Sequence, residues 1–267
     1  MNSIGITLIN YNHGHLIGRA LDHICLNTIQ PDELIIVDDG SNDDSKEVID
    51  NYKNKFSFIK TIYLEHNLGS FKAGEIARSE INTTYMYCAS ADDYIDKTFI
   101  EKIKLNTKQY PNAGIVFSDM DIVDEKNKLI YRTKSQKLTP NSFIDGKTYL
   151  NDFLKIEQAT HSHGAATVYK KRCFDLLGGL SSKVSAFRDT LLQRAIALKW
   201  GSVYLNEALV NWTKSKGSIS DKYNNSKGEM RLTSENIYKI MTTDYKEYFP
   251  KEYADSWKKD YEKLHNL

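Results

Sequence analysis

A chain of 267 residues, 40% hydrophobic and 27% charged, has enough apolar material for one large domain or two packed lobes. A formal net charge of +1 and the lack of a long basic run argue against nucleic acid, and no nucleic-acid partner is expected. Three widely spaced cysteines, Cys25, Cys88 and Cys173, suggest neither a zinc site nor a disulfide framework. No basic-then-apolar leader and no membrane-length apolar run are present, so a reduced, cytoplasmic setting is expected, with peripheral membrane contact left open.

Strand and helix signals alternate from the start. Ile4 to Ile9 reads as a buried strand, and Leu16, Ala20, Leu21 and Ile24 mark one helix face. Leu34 to Val37 is a second strand, followed by a helix that Asp43 or Asp44 can cap. Ile59 to Leu64, a helix over Phe71 to Ser79, and the strand Tyr85 to Cys88 complete a βαβαβαβ run. That rhythm predicts a parallel sheet with helices on both faces. A helix over Thr98 to Gln109 leads to a strand at Gly114 to Phe117. Met120 to Val123 and Leu129 to Tyr131 then flank a hairpin turn. A helix near Thr148 to Lys155, a strand from Ala165 to Tyr169 and a helix from Thr190 to Lys199 follow. Lys214 to Lys227 reads as a mobile loop, and the last forty or so residues as two short helices bearing Tyr and Trp.

Two acidic pairs carry the chemistry. Asp38-Asp39 directly follows the apolar run Leu34 to Val37, and Asp92-Asp93 follows Tyr85 to Cys88. Carboxylates at the exit of buried strands are expensive unless they bind something, and in an open α/β sheet that exit is where ligands sit. The first pair could instead be a turn capping the next helix. The second has no basic residue from Tyr87 to Tyr94; it suits Mg²⁺ or Mn²⁺, with a charged helix N-terminus as the plainer alternative.

With Ile6 to Asn12, Ile35 to Ser41 and Asn67-Leu68-Gly69, these segments resemble the family 2 glycosyltransferases, in that family's order and spacing. The resemblance implies a GT-A fold: an α/β, mostly parallel Rossmann-like sheet flanked by helices, with a small antiparallel element and a helical C-terminal tail. Residues 1–95 would be the nucleotide-sugar-binding half, 96–220 the acceptor-binding half of the same domain, and 221–267 a helical extension. The implied reaction is inverting transfer from a nucleotide sugar, most often UDP-linked, to a glycan or lipid-linked saccharide in bacterial surface polysaccharide synthesis. Tyr11 would stack on the base, Asp39 would hydrogen-bond it, Asp92 would contact the ribose, and Asp93 would ligate the Mn²⁺ or Mg²⁺ that bridges the diphosphate. Asp189 stands where the family places its catalytic base, although an aspartate there is also a favoured helix N-cap.

Several positions depart from the family pattern. Ala91 replaces a frequent further carboxylate, and Gly74 and Glu75 replace an Arg and an Asn, leaving Lys72 as the nearest basic group for phosphate. Arg188 replaces a Glu, and Trp212 to Ser220 lacks the His often found there. The segment from His161 to Gly164 lines the expected acceptor pocket with His163, next to Arg188, in preference to a two-histidine metal site. The tail aromatics from Tyr238 to Tyr261 offer an interfacial surface for a lipid-linked acceptor; packing back on the domain or pairing in a homo-oligomer is the alternative favoured. A non-catalytic nucleotide-sugar-binding module on the same fold is the main rival. A sugar nucleotidyltransferase is disfavoured because its glycine-rich loop is absent after the first strand.

Overall fold

Seven residues, Ile4–Asn10, form β1, and nearly all are buried because both faces of this strand are covered. In the computed structural model, which describes residues 2–135, 137–155, 164–216 and 218–267, β1 lies between two parallel partners. These are β2 (Glu33–Asp38) and β4 (Tyr85–Ser90), and β3 (Ile59–Tyr63) extends the sheet beyond β2. Helices α1 (Gly14–Cys25), α2 (Ser45–Lys53) and α3 (Ser70–Glu80) make the crossovers.

After the two-residue β5 (Tyr94–Ile95) and α4 (Phe99–Gln109), the sheet becomes mixed. Its long members are β6 (Ile115–Asp124) and β10 (Ser202–Lys214), which run parallel to each other. Between β4 and β6 lies β9 (Thr167–Lys170), antiparallel to both. Among the described residues the order is β3-β2-β1-β4-β9-β6-β10-β5; β7 (Leu129–Arg132) pairs with β6, and β8 (Phe143–Ile144) with β10.

The two faces carry separate cores. Ile4, Ile6, Leu8, Leu34 and Ile36 pack against Ile17, Leu21 and Ile24 of α1 and Phe99 and Ile103 of α4. Ile35, Val37 and Met86 turn the other way, towards Ala73 and Ala77 of α3. That second core also takes in α5 (Gly146–Tyr149), α6 (Lys171–Leu176) and α7 (Arg188–Trp200).

Two expectations need correction, and the long strand β10 lies where the sequence predicts no element between Lys199 and Lys214. Its period breaks at Asn206 and Glu207, where the register with β6 shifts between Leu205 and Ala208. The mobile loop predicted for Lys214 to Lys227 contains the end of β10 and a six-residue helix, α8 (Ile219–Asn224). The tail helices are full-length elements, α9 (Lys227–Thr242) and α10 (Lys251–His265).

Their aromatic rings settle the role of the tail in the fold. Phe249, Tyr253, Trp257 and Tyr261 are buried, and Trp257 and Tyr261 meet Phe187 edge-on. An interfacial aromatic surface is therefore not what these residues form; they complete the second core. Among the described residues, no helix is long and apolar enough to cross a membrane.

Candidate active site

From β1 the chain winds to β2 and β3, then returns to the other side of β1 as β4. This reversal opens a crevice beyond the carboxyl ends of β1 and β4, the place where open α/β sheets bind ligands. Tyr11 leaves β1 there, 44% exposed, with its ring free to act as a platform. The backbone around it is fastened to the β2 turn: Asn12 donates its N–H to Ser41 Oγ at 2.8 Å, and Asn12 Oδ1 accepts from Asn42 N at 2.9 Å.

The adjacent Asp38 and Asp39 do different work. Asp38 Oδ1 accepts from Asn10 Nδ2 at 2.7 Å and from Ser41 Oγ at 2.6 Å, which ties the turn to β1. Asp39 is 1% exposed, and its two oxygens accept the backbone N–H groups of Leu68 at 2.7 Å and Gly69 at 2.9 Å. Gly40 makes this approach of two loops feasible. Its φ is +73°, and a Cβ on it would stand 2.6 Å from the carbonyl carbon of His66. Of the two capping candidates, Asp44 makes no side-chain cap, whereas Asp43 accepts from Ser45 N at 3.0 Å and from Gly14 N at 2.9 Å, joining two helix starts.

Asp93, beyond β4, is 8% exposed, and its Oδ1 accepts from Thr213 N at 2.7 Å. Burial pushes its carboxyl well above the usual carboxylate range; the charge of Asp92 adds to this, and the Thr213 bond and Arg19 oppose it. Ala91 points into the apolar core. Arg19, on α1, supplies the basic neighbour that the local sequence lacks. It donates to the carbonyl oxygen of Asp92 at 2.5 Å and to Thr213 Oγ1 at 3.2 Å, lies 4.5 Å from the centre of the Tyr94 ring, and also bonds Asn127. Thr213 Oγ1 in turn donates to the Asp92 carbonyl at 2.6 Å. No local pattern marks Arg19 or Thr213, because their partners lie 73 to 194 residues away.

Asp189 occupies the first turn of α7 and not its N-cap, which is Phe187. Its Oδ1 accepts from Thr190 N at 2.7 Å. Burial raises its pKa above the ordinary carboxylate value, while the Thr190 bond and the Arg188 charge oppose the rise. Gly164 abuts this carboxylate: a Cβ there would lie 2.5 Å from Asp189 Oδ2. The end of the His161 to Gly164 segment therefore meets Asp189, while His163 itself lies outside the described residues. Arg188 lies 5.5 Å from the Phe71 ring centre, also on this side of the sheet. The Lys72 side chain is 61% exposed and pairs with Glu75 at 3.1 Å.

A sheet covered on both faces, with an acidic crevice at its switch point, is the GT-A arrangement that the resemblance implied, and the comparisons give the class as glycosyltransferase. The family model for Glycosyl transferase family 2 matches residues 5–178, and the chain belongs to that family. Among relatives, it is 25% identical over 263 residues to the cholesterol galactosyltransferase of Borreliella burgdorferi, covering 92% of this chain and 72% of the relative. It is 26% identical over 228 residues to the glycosyltransferase GlyG of Streptococcus pneumoniae, covering 81% and 72%. Among solved structures, S. aureus TarS 1-349 with UDP-GlcNAc superposes with a TM-score of 0.73 at 19% identity, covering 97% of this chain and 71% of that one. The mannosyltransferase PcManGT of Pyrobaculum calidifontis, in complex with GDP-Man and Mn²⁺, superposes with a TM-score of 0.63 at 14% identity, covering 96% and 69%.

Proposed function

We propose that this glycosyltransferase moves a sugar from a UDP-linked donor to a hydroxyl of a glycan or lipid-linked saccharide, with inversion at the anomeric carbon and with Mn²⁺ or Mg²⁺ at Asp93. The setting proposed is the synthesis of a bacterial surface polysaccharide. One observation carries the reading: an adjacent carboxylate pair, the half-buried Asp92 and the buried Asp93, without an ion pair among the described residues, shares the sheet edge with the exposed ring of Tyr11.

The residues present fit a divalent cation. Asp93 is a hard oxygen donor with one hydrogen bond and too little positive charge around it. No cluster of three or more His, Cys, Asp or Glu is gathered among the described residues. Two adjacent carboxylates completed by phosphate oxygens and water are what Mg²⁺ or Mn²⁺ commonly takes. When bound, the cation would offset the negative charge that develops on the leaving diphosphate. The Mn²⁺ named with the archaeal mannosyltransferase and the UDP-GlcNAc named with TarS support the cofactor and the donor class.

The remaining roles fall to the chain's own groups. Tyr11 stacks on the base, Asp39 hydrogen-bonds it through lone pairs left by Leu68 and Gly69, and Asp92 holds the ribose. Asp189 accepts the proton of the acceptor hydroxyl as its oxygen attacks the anomeric carbon from the face opposite the diphosphate. A carboxylate whose pKa is raised by burial suits that task, because it holds the proton better than an exposed one.

A panel of nucleotide sugars, assayed for release of the nucleoside diphosphate, tests this. Wild type is expected to turn over a UDP-sugar about 100-fold or more faster than Asp189→Asn, the scale of general-base catalysis. Equal rates for the two proteins would remove Asp189 from the reaction.

A further inference from the structure

Phe71, Gly74 and Arg78 follow one another at helical spacing on α3, and this face looks towards the start of α7. The guanidinium of Arg78 folds back over Gly74. A Cβ at Gly74 would stand 2.5 Å from Arg78 Nη1, so the missing side chain is what gives the guanidinium its room. Its other flank is the ring of Phe174, 5.8 Å from the guanidinium carbon. Arg188 is held by its Nε–H, which donates to the Ser185 carbonyl at 2.9 Å, and by the Phe71 ring.

Both arginines keep their terminal amino groups without a hydrogen bond or an ion pair among the described residues. Their mutual repulsion is felt: burial holds the Arg188 guanidinium below its ordinary value, and the charge of Arg78 adds to the depression, against Asp189. Burial raises both the Cys88 thiol and the Tyr169 phenol, so neither offsets their charge. Among the described residues, the carboxylate that acts on Arg188 is Asp189. Arginine forks in this state are built for a bidentate oxyanion.

We propose that Arg78 and Arg188 bind an anionic substituent of the acceptor, a phosphate or a carboxylate, so that the acceptor is an acidic or phosphate-bearing saccharide. The proposal rests on the reading of Asp189 as the base. In an inverting displacement, base and leaving group lie on opposite faces of the anomeric carbon. Cations that flank the base therefore do not serve the departing diphosphate, and the acceptor is what enters on that side. A bound anion would also offset the Arg188 charge, which opposes the rise in the Asp189 pKa. An acidic acceptor would thereby improve the base that activates it.

Calorimetric titration of the full chain, saturated with UDP and Mn²⁺, with glucose, glucose 6-phosphate and glucuronate tests the pair without requiring turnover. At least one anionic sugar is expected to bind about tenfold or more tightly than glucose, as charge-assisted bidentate bonds would give. Glucose 6-phosphate leads if the group is a phosphate, and glucuronate leads if it is a carboxylate. Arg78→Gln and Arg188→Gln are each expected to erase the preference, and Arg78→Lys to keep part of it. Equal or absent binding of all three sugars by wild type, or a preference that survives in both glutamine variants, overturns the proposal. Failure of the donor reading shows separately, as a lack of UDP binding in the first step, and the same sugar series on the UDP-free chain then still decides the role of the arginines.

Discussion

Asp38 and Asp39 stand side by side at one strand end, yet each secures a different loop. Asp39 accepts two backbone N–H groups from Leu68 and Gly69, so it builds the crevice wall as well as facing it. Asp39→Asn keeps the shape but turns an amide N–H₂ towards one of those donors. We expect a loss of about 1–3 kcal/mol of stability by thermal or urea unfolding, together with weaker UDP binding. Unchanged stability would mean that the two bonds do not constrain the loop. Asp189 carries a pH signature. As the proposed base, it would place the acid limb of kcat/KM above the ordinary carboxylate value of about 4, with activity lost as pH falls through its raised pKa. The same shift means that the folded state holds this proton more tightly than the unfolded chain. Its contribution to stability is present at low pH and lost as pH rises through the raised value. Asp189→Asn should therefore melt higher than wild type at neutral pH, with the gap closing below about pH 4. Both acidic pairs were legible in the sequence, because carboxylates after apolar runs are conspicuous. Arg19 and Thr213 were not, since nothing near them in the chain signals contacts that only the sheet order creates.

Among the elements, the first four strands and their crossover helices could be read from periodicity, because each is a short apolar run bounded by turn residues. The strand β10 escaped for a physical reason. Its register with β6 shifts between Leu205 and Ala208, around Asn206 and Glu207, which interrupts the alternation that marks a single strand. It nevertheless carries Thr213, which clamps Asp92 and Asp93, so the least legible strand is part of the candidate donor site. The tail is the other lesson at this scale. Tyr and Trp among lysines left an interfacial surface open beside the favoured packing on the domain, and the helical period places Tyr253, Trp257 and Tyr261 on one buried face beneath Phe187. Phe187 directly precedes Arg188 and Asp189, so the tail supports the turn that presents the candidate base. Trp257→Ala should cost about 3–5 kcal/mol, read as a lower denaturant midpoint, and should lower turnover through Asp189 more than it weakens UDP binding. A stability change under about 1 kcal/mol would mean that the ring is not part of a packed core.

At the scale of the molecule, the winding order separates two jobs onto one sheet edge. Loops after β1, β2 and β4 gather the aromatic and acidic groups of the candidate donor site, while α3, α7 and the residues leading into β9 lie around Asp189. In the proposed reading a divalent cation would connect the acidic crevice to a diphosphate, because adjacent carboxylates repel a phosphate unless a cation lies between them. Calorimetric titration of UDP into the protein with Mn²⁺, and again with EDTA, compares the two states in one instrument. We predict binding that is at least about tenfold tighter with Mn²⁺, with the difference lost in Asp93→Asn. UDP affinity that is the same with and without the metal, or no UDP binding in either state, would contradict a metal-dependent donor site at Asp93.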